Sequence, residues 1–142
     1  VIHHSEFIAD LIKEGKISPD NSLEEDVTFH DACYVGRHHG EYDAPRDVLN
    51  SVMGDNAKIV EMPRNKEQSF CCGAGGGNMW YEIDKGKRIN VERFEEAIET
   101  GAKKVATSCN FCMIMMDDAR KVTSKDESME VVDIAELIAE RI

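Results

Sequence analysis

Five cysteines are the residues whose type and spacing point most directly to chemistry: Cys33, Cys71, Cys72, Cys109 and Cys112. An odd number leaves one thiol without a partner in any disulfide framework. The first residues have neither the basic end nor the apolar stretch of a secretory signal, so we expect a reducing compartment, where disulfides are rare. Thiolates in such a compartment usually bind metal or take part in reactions, and they select iron–sulfur clusters or zinc over hard cations.

Two local motifs place these thiols beside groups that favour charged sulfur. Cys109-Asn110-Phe111-Cys112 is a C-x-x-C motif at the predicted start of a helix, whose N-terminus favours thiolate over thiol. Cys71-Cys72 precedes a glycine-rich stretch, residues 73–77, whose backbone N–H groups can approach and hydrogen-bond to sulfide or thiolate. This stretch lacks the Lys-Ser/Thr of a phosphate loop, and a thioredoxin-like C-x-x-C would leave the other cysteines unexplained.

The elements that position these thiols are predicted from hydrophobic periodicity. Four short runs rich in β-branched residues read as strands of a small parallel sheet: 26–30, 58–62, 104–108 and 130–133. Helical segments alternate with these strands, which is typical of an α/β fold with helices on both sides of the sheet. The cysteine-bearing segments follow the first three predicted strands. Because ligands bind at the carboxyl ends of strands in such sheets, all five sulfurs are expected at one edge.

Helix starts are predicted from capping residues. Ser5 is expected to cap the first helix, which Gly15 ends. Asp133 and Glu136 are expected to form an Asp variant of the capping box at the last helix.

Composition describes an ordinary globular chain of 142 residues, 42% hydrophobic and 32% charged, sufficient for one domain over residues 1–142. The net charge of −11 argues against nucleic acid and anionic membrane surfaces as partners. No apolar run approaches the roughly 20 residues that cross a bilayer, so we expect a cytoplasmic domain without a transmembrane segment. The missing initiator Met and the start inside a plausible helix suggest a fragment of a larger protein. Most acidic residues are expected on solvated surfaces: Glu92, Glu95, Glu96, Glu99, Asp126, Glu127 and Glu130.

The cysteine pattern resembles the cysteine-rich CCG domain of heterodisulfide reductase catalytic subunits. In this pattern 37 residues separate Cys33 from Cys71, and 36 residues separate Cys72 from Cys109. The surrounding sequence is also similar to the family, at residues 30–37, 71–77, 79–80 and 86–93. Related domains occur in the iron–sulfur subunit of glycolate oxidase, in lactate-utilisation proteins and in membrane-bound oxidoreductases that link electron-transfer flavoprotein to quinone.

The resemblance implies an oxidoreductase domain whose cysteines hold a noncubane 4Fe–4S cluster. The implied ligands are Cys33, Cys71, Cys72, Cys109 and Cys112. The implied activity is electron transfer or two-electron disulfide/dithiol reduction. Implied partners are a ferredoxin-like domain, a second CCG domain or a flavoprotein, in a parent protein that could associate with a membrane.

Three further residues receive roles at the cluster, and the alternative for each of them is a purely structural role. Arg37 would place an anionic substrate group, or would pair instead with Asp31 or Asp43. Tyr34 or His30 would supply a proton. Two other functions stay open: a structural zinc site closed by four of the five thiolates, and a metal-free thiol–disulfide module.

Overall fold

In the part of the chain that the structure describes, three parallel strands form the centre of the fold. The computed structural model describes residues 1–81, 85–124 and 128–142. Its main elements, in chain order, are α1 (His4–Lys13), β1 (Val27–His30), α2 (Asp43–Asn50), α3 (Ile89–Glu99), β2 (Lys104–Thr107), α4 (Asn110–Val122), β3 (Glu130–Asp133) and α5 (Ile134–Ala139). Shorter turns are a π-helical turn at Tyr34–His38 and 3-10 turns at Lys66–Gln68 and Gly75–Trp80.

The strands pair in the order β1-β2-β3, and their register aligns Phe29 with Ala106 and Val132. These three side chains lie on one face, where they pack with α1, α2 and α5. Val105 and Val131 lie on the opposite face, because successive side chains alternate along a strand, and they pack with α3 and α4. The expected α/β fold with helices on both sides of a small parallel sheet is confirmed.

The predicted strand at residues 58–62 is reduced to a single parallel bridge between Val27 and Ile59. Val60 N donates to the carbonyl of Val27 at 2.8 Å beside this bridge. Pro63 follows within three residues, and proline has no N–H with which to extend a ladder. The sheet of the described residues therefore has three strands rather than about four.

Helix starts agree with the prediction at α5 and differ at α1. Asp133 accepts the N–H of Ala135 at 2.8 Å, and Glu136 reaches back to the N–H of Asp133, which completes the predicted capping box. His3, rather than Ser5, caps α1: its Nδ1 accepts the N–H of Ser5 at 3.3 Å. A histidine ring nitrogen thus does here what a serine hydroxyl was expected to do, because either can accept from an unpaired N–H of the first turn.

The acidic residues do not all lie on a solvated surface. Glu96 is buried, with 7% of its surface exposed, and it pairs with Arg64 and Arg93. Asp126 and Glu127 lie outside the described residues. Within the described ranges, no helix has the length and apolarity of a membrane span.

Candidate functional site

All five cysteines lie at one edge of the sheet, beyond the carboxyl ends of β1 and β2. Cys33 precedes the π-helical turn that follows β1, and Cys109 occupies the N-cap position of α4, two residues after β2 ends. Cys112 lies in the first turn of α4, and Cys71 and Cys72 come from the loop between the two 3-10 turns. Cys72 and Cys112 are buried and the other three are half-buried. The structure therefore brings together the thiols that the sequence placed at this edge.

Cys72 lies at the centre of the group of thiols. It interacts with the thiols of Cys112 and Cys71, and Cys112 also interacts with Cys109. The imidazole of His30 faces the same group, and the nearest ligand atoms of His30, Cys72 and Cys112 lie within 4.8 Å of one another. A group of this kind can surround a shared metal centre.

The interactions between the thiols lower the pKa of some of them and raise the pKa of others. Hydrogen bonds from Cys112 and Cys71 lower the pKa of Cys72 strongly, and His30 adds to that effect. The hydrogen bond with Cys112 lowers the pKa of Cys109 to about 6. In return, Cys109 and Cys72 raise the pKa of Cys112, and Cys72 raises the pKa of Cys71. These protons belong to the group as a whole, which holds thiolates beside thiols at neutral pH.

Gly73 shapes the turn that carries Cys71 and Cys72. Its φ is +91°, and its N–H donates to the sulfur of Cys71 at 3.2 Å. A Cβ atom at this position would lie 3.2 Å from Cβ of Ile89 and 3.3 Å from the backbone nitrogen of Asn90, at the start of α3. Glycine is therefore required both by the backbone conformation and by the close approach of this loop to α3.

A buried ion pair fixes the segment between β1 and Cys33. The two carboxylate oxygens of Asp31 accept from Arg46 at 2.8 and 3.0 Å, and one of them also accepts the N–H of Lys66 at 2.8 Å. Arg46 binds Glu61 as well, at 2.6 Å. Burial alone would lower the pKa of Arg46, but its hydrogen bonds to Asp31 and Glu61 outweigh burial and raise that pKa. The pair ties α2 and the loop before Cys71 to the end of β1.

Arg37 lies at the thiols without pairing with either carboxylate considered from the sequence. It lines the same cavity as Cys33 and Cys72, and its Nη2 donates to the carbonyl of Ser69 at 2.7 Å. Arg46 takes the position beside Asp31 that was considered for Arg37. The guanidinium of Arg37 is thus available to an anionic group that enters the cavity.

The other two residues considered from the sequence lie in opposite environments. His30 is buried at the end of β1 and lines the cavity, where burial lowers its pKa. Tyr34 lies outside the cavity, with 78% of its surface exposed, and its ring packs against His38 at a centroid distance of 5.0 Å. Of these two residues, only His30 lines the cavity that the thiols line.

Two residues at the site are absent from the sequence predictions. Arg93 is fully buried in α3, and its Nε donates to Nδ1 of His30 at 3.0 Å. Its position could have been found, because Asn90, Arg93, Phe94 and Ala97 follow the i, i+3, i+4, i+7 spacing of a buried helix stripe. Lys66 lines the thiol cavity from the 3-10 turn Lys66–Gln68, which is too short for a periodic pattern to mark it.

The donor set suits a soft metal centre. Thiolates select iron–sulfur clusters and zinc, and five thiols exceed the four ligands of a tetrahedral zinc site. Arg37 and Lys66 line the same cavity and offset negative charge gathered there. Ala32, Val35 and Met115 supply an apolar wall. Together these features define a small α/β domain with a thiolate-rich site at the carboxyl edge of its sheet.

The chain belongs to the cysteine-rich CCG domain family, whose model matches residues 27–117. It is 41% identical over its whole length to the probable iron-sulfur-binding oxidoreductase FadF of Bacillus subtilis, covering 20% of that protein. It is 42% identical over its whole length to a subunit of the dihydromethanophenazine:CoB--CoM heterodisulfide reductase of Methanosarcina mazei, covering 34% of that subunit. It is 39% identical over 97% of its length to the EtfAB:quinone oxidoreductase of Syntrophomonas wolfei, covering 20%. The chain thus spans only a minor part of each of these relatives, and the resemblance drawn from the cysteine pattern is confirmed.

Proposed function

We propose that this domain is the iron–sulfur redox domain of a heterodisulfide-reductase-like oxidoreductase. The proposed cofactor is a noncubane 4Fe–4S cluster held by Cys33, Cys71, Cys72, Cys109 and Cys112. The observation that carries the proposal is the convergence of these thiols, from three separate segments, on one edge of the sheet. The names of relatives similar over the whole chain, an iron-sulfur-binding oxidoreductase and a heterodisulfide reductase subunit, support it.

When bound, such a cluster supplies electron transfer at a potential set by its ligands, hydrogen bonds and solvent exposure. The protein must supply deprotonated cysteines as ligands, because only thiolates bind the metal. Cys72 and Cys109 have lowered pKa values, whereas Cys71 and Cys112 would release protons on binding. The N–H of Gly73 already points at the sulfur of Cys71 and would stay there as a hydrogen-bond donor.

The cavity beside the thiols sets the expected substrate chemistry. Arg37 would bind an anionic group of a disulfide or thiol substrate, with Lys66 as a second cation on the same wall. Of the two residues considered as proton sources, His30 lies among the sulfurs, whereas Tyr34 would reach a substrate only at the solvent side. The reaction proposed is electron transfer or reduction of a disulfide to two thiols, with electrons delivered by the rest of the parent protein.

The partners proposed are a ferredoxin-like domain, a second CCG domain or a flavoprotein. The chain covers 20% to 34% of the three relatives compared above, which supports a parent protein with further domains, and the resemblance to the family suggests these partners. We place the domain in the cytoplasm and propose that any membrane attachment comes from other parts of the parent. One relative, from Chromohalobacter salexigens, is named a probable membrane-anchored ferredoxin.

A structural zinc site is the second candidate function. The close approach of His30, Cys72 and Cys112, within 4.8 Å, favours it, because zinc takes nitrogen and sulfur ligands together. In that case Cys71 or Cys109 would complete a tetrahedron, and the fifth thiol would have no role. The domain would then organise the parent protein without redox chemistry of its own.

Metal analysis of the anaerobically purified chain separates these functions. We expect about four irons per chain with matching acid-labile sulfide, and an EPR signal from the oxidised sample that responds to added thiols. About one zinc per chain without sulfide would establish the structural site instead. Cys72→Ser should lower iron and sulfide together. Ile114→Ser, an exposed change two residues after Cys112, is the control and should keep both; unchanged iron in Cys72→Ser would refute the ligand assignment.

A further inference from the structure

A buried arginine holds the imidazole that faces the thiols. Arg93 lies fully buried in α3, and its Nε donates to Nδ1 of His30 at 3.0 Å. One terminal nitrogen of the same guanidinium donates to the carboxylate of Glu96 and to the carbonyl of Arg64, each at 2.9 Å. Glu96 also accepts the backbone N–H of Arg64 at 2.8 Å. The guanidinium is therefore held in place, and its charge is balanced away from the sulfurs.

The chemistry of guanidinium decides which ring nitrogen of His30 carries the hydrogen. Arg93 can only donate and does not lose its proton in proteins, so Nδ1 of His30 must be an acceptor without hydrogen. A neutral imidazole carries its single hydrogen on the other nitrogen, Nε2. A doubly protonated ring is excluded on the same ground, since both of its nitrogens donate. Because Arg93 occupies Nδ1, Nε2 is the nitrogen left to face Cys72, whose sulfur lies within 4.8 Å of the imidazole.

We propose that Arg93 is a positioning residue that fixes His30 as its Nε2–H tautomer, so that His30 donates a hydrogen bond to the sulfur of Cys72 and is not a metal ligand. The functional part of this inference rests on the proposed cluster. A donated N–H stabilises negative charge on sulfur, and the reduced cluster carries more of that charge than the oxidised one. The Arg93–His30 pair therefore raises the reduction potential of the centre.

The tautomer can be measured by nitrogen-15 NMR of the histidine rings in the full, metal-free chain. The His30 signal is assigned by its loss in His30→Gln. We expect Nδ1 of His30 to give the shift of a nitrogen without hydrogen, and Nε2 the shift of one that carries hydrogen. A hydrogen on Nδ1, or on both nitrogens, would overturn the inference without any variant needing to fold.

A matched pair of variants tests the role of Arg93 itself. Arg93→Met removes the donor to His30, so the two His30 ring signals should move towards each other as both tautomers become populated. Arg64→Gln removes another side chain that binds Glu96 and leaves His30 untouched, so the His30 signals should stay where they are. Unchanged His30 signals in Arg93→Met would contradict the positioning role.

Iron-loaded variants of His30 separate a donor from a ligand. His30→Gln keeps an amide N–H that can donate, whereas His30→Leu keeps none. We expect both to bind as much iron and sulfide as the wild type. His30→Leu should have a lower reduction potential, and His30→Gln should fall between it and the wild type. Loss of iron in both folded variants, or a wild-type potential in His30→Leu, would overturn the proposal.

The two proposals fail in distinguishable ways. A wild-type chain that takes up no iron and sulfide refutes the cluster, while the tautomer of His30 is still read from the metal-free chain. A wrong tautomer in a chain that does bind the cluster refutes the role of Arg93 and leaves the proposed function standing.

Discussion

Replacing Arg46 with Met should destabilise the domain through a single buried carboxylate. Asp31 lies two residues before Cys33, and its side chain is only 3% exposed. Arg46 donates two hydrogen bonds to it, at 2.8 and 3.0 Å, and the N–H of Lys66 donates one more at 2.8 Å. Arg46→Met therefore leaves a buried carboxylate with the Lys66 donor but without its cation.

The magnitude follows from the bonds that are lost. A hydrogen bond to a charged group contributes about 1.5–3 kcal/mol, so two of them amount to about 3–6 kcal/mol. Breaking a buried ion pair by removing one partner costs about 3–5 kcal/mol, which agrees with that sum. Arg46 also lies over the ring of Phe29, 5.3 Å from its centroid, and this contact is lost too. We expect a loss of about 4 kcal/mol, a large part of the roughly 5–15 kcal/mol that stabilises a typical domain.

Urea unfolding of the metal-free chain under reducing conditions measures this loss. The control is Glu61→Gln, which removes the other carboxylate bound by Arg46, at 2.6 Å. The side chain of Glu61 is 34% exposed, so its loss should cost only about 0–1 kcal/mol. The double variant Arg46→Met/Asp31→Leu removes both buried charges and should recover most of the loss.

Two results would refute this reasoning. If Arg46→Met lowered the free energy of unfolding by less than about 1 kcal/mol, the carboxylate of Asp31 would not be an unpaired charge in an apolar environment. An equal cost for Glu61→Gln would mean that burial does not distinguish the two carboxylates. The variants can be compared if the free energy of unfolding falls with urea at the same slope in all of them, since a changed slope indicates a change in the surface exposed on unfolding.

Two further predictions concern the glycine turn and the buried glutamate. Gly73→Ala should cost at least about 1–2 kcal/mol, because it places a side chain at a positive φ and against α3. Gly75→Ala, in open space, should cost little in the same urea titration, so equal costs would contradict this account. Burial would raise the pKa of Glu96, but hydrogen bonds and charge from Arg64 and Arg93 lower it below its ordinary value of 4.5. Because this pKa is lower in the folded than in the unfolded chain, ionised Glu96 stabilises the fold above pH 4.5, and that stabilisation is lost as the pH falls through the folded pKa. The free energy of unfolding of Glu96→Gln should therefore fall less steeply with acid than that of the wild type. Identical dependence on pH in the two proteins would disprove this.

The sequence alone determined the fold class and the location of the thiols. Strand-like runs alternating with amphipathic helices predict a parallel sheet, and in a parallel sheet the loops that follow the strands meet at one edge. Cys33 and Cys109 directly follow β1 and β2, so their order along the chain was sufficient to place them together. The Asp133 capping box was equally predictable, because both partners lie within one helical turn.

The tertiary structure decided which side chains meet across that edge. Arg37 and Arg46 are both close to Asp31 in sequence, but packing of α2 against the sheet brings only Arg46 to the carboxylate. Glu96 was expected in solvent and is buried. Periodicity describes a helix face but does not say which buried polar groups will find partners on distant segments.

The shifts in the pKa values of the thiols and the role of His30 also could not be predicted from the sequence. Both depend on contacts between distant segments, such as the 3.0 Å hydrogen bond between Arg93 and His30, whose positions differ by 63. Local patterns reflect backbone preferences and burial over one or two turns of chain. A pKa or a tautomer reflects the few atoms within hydrogen-bonding distance, and only the folded chain brings those atoms together.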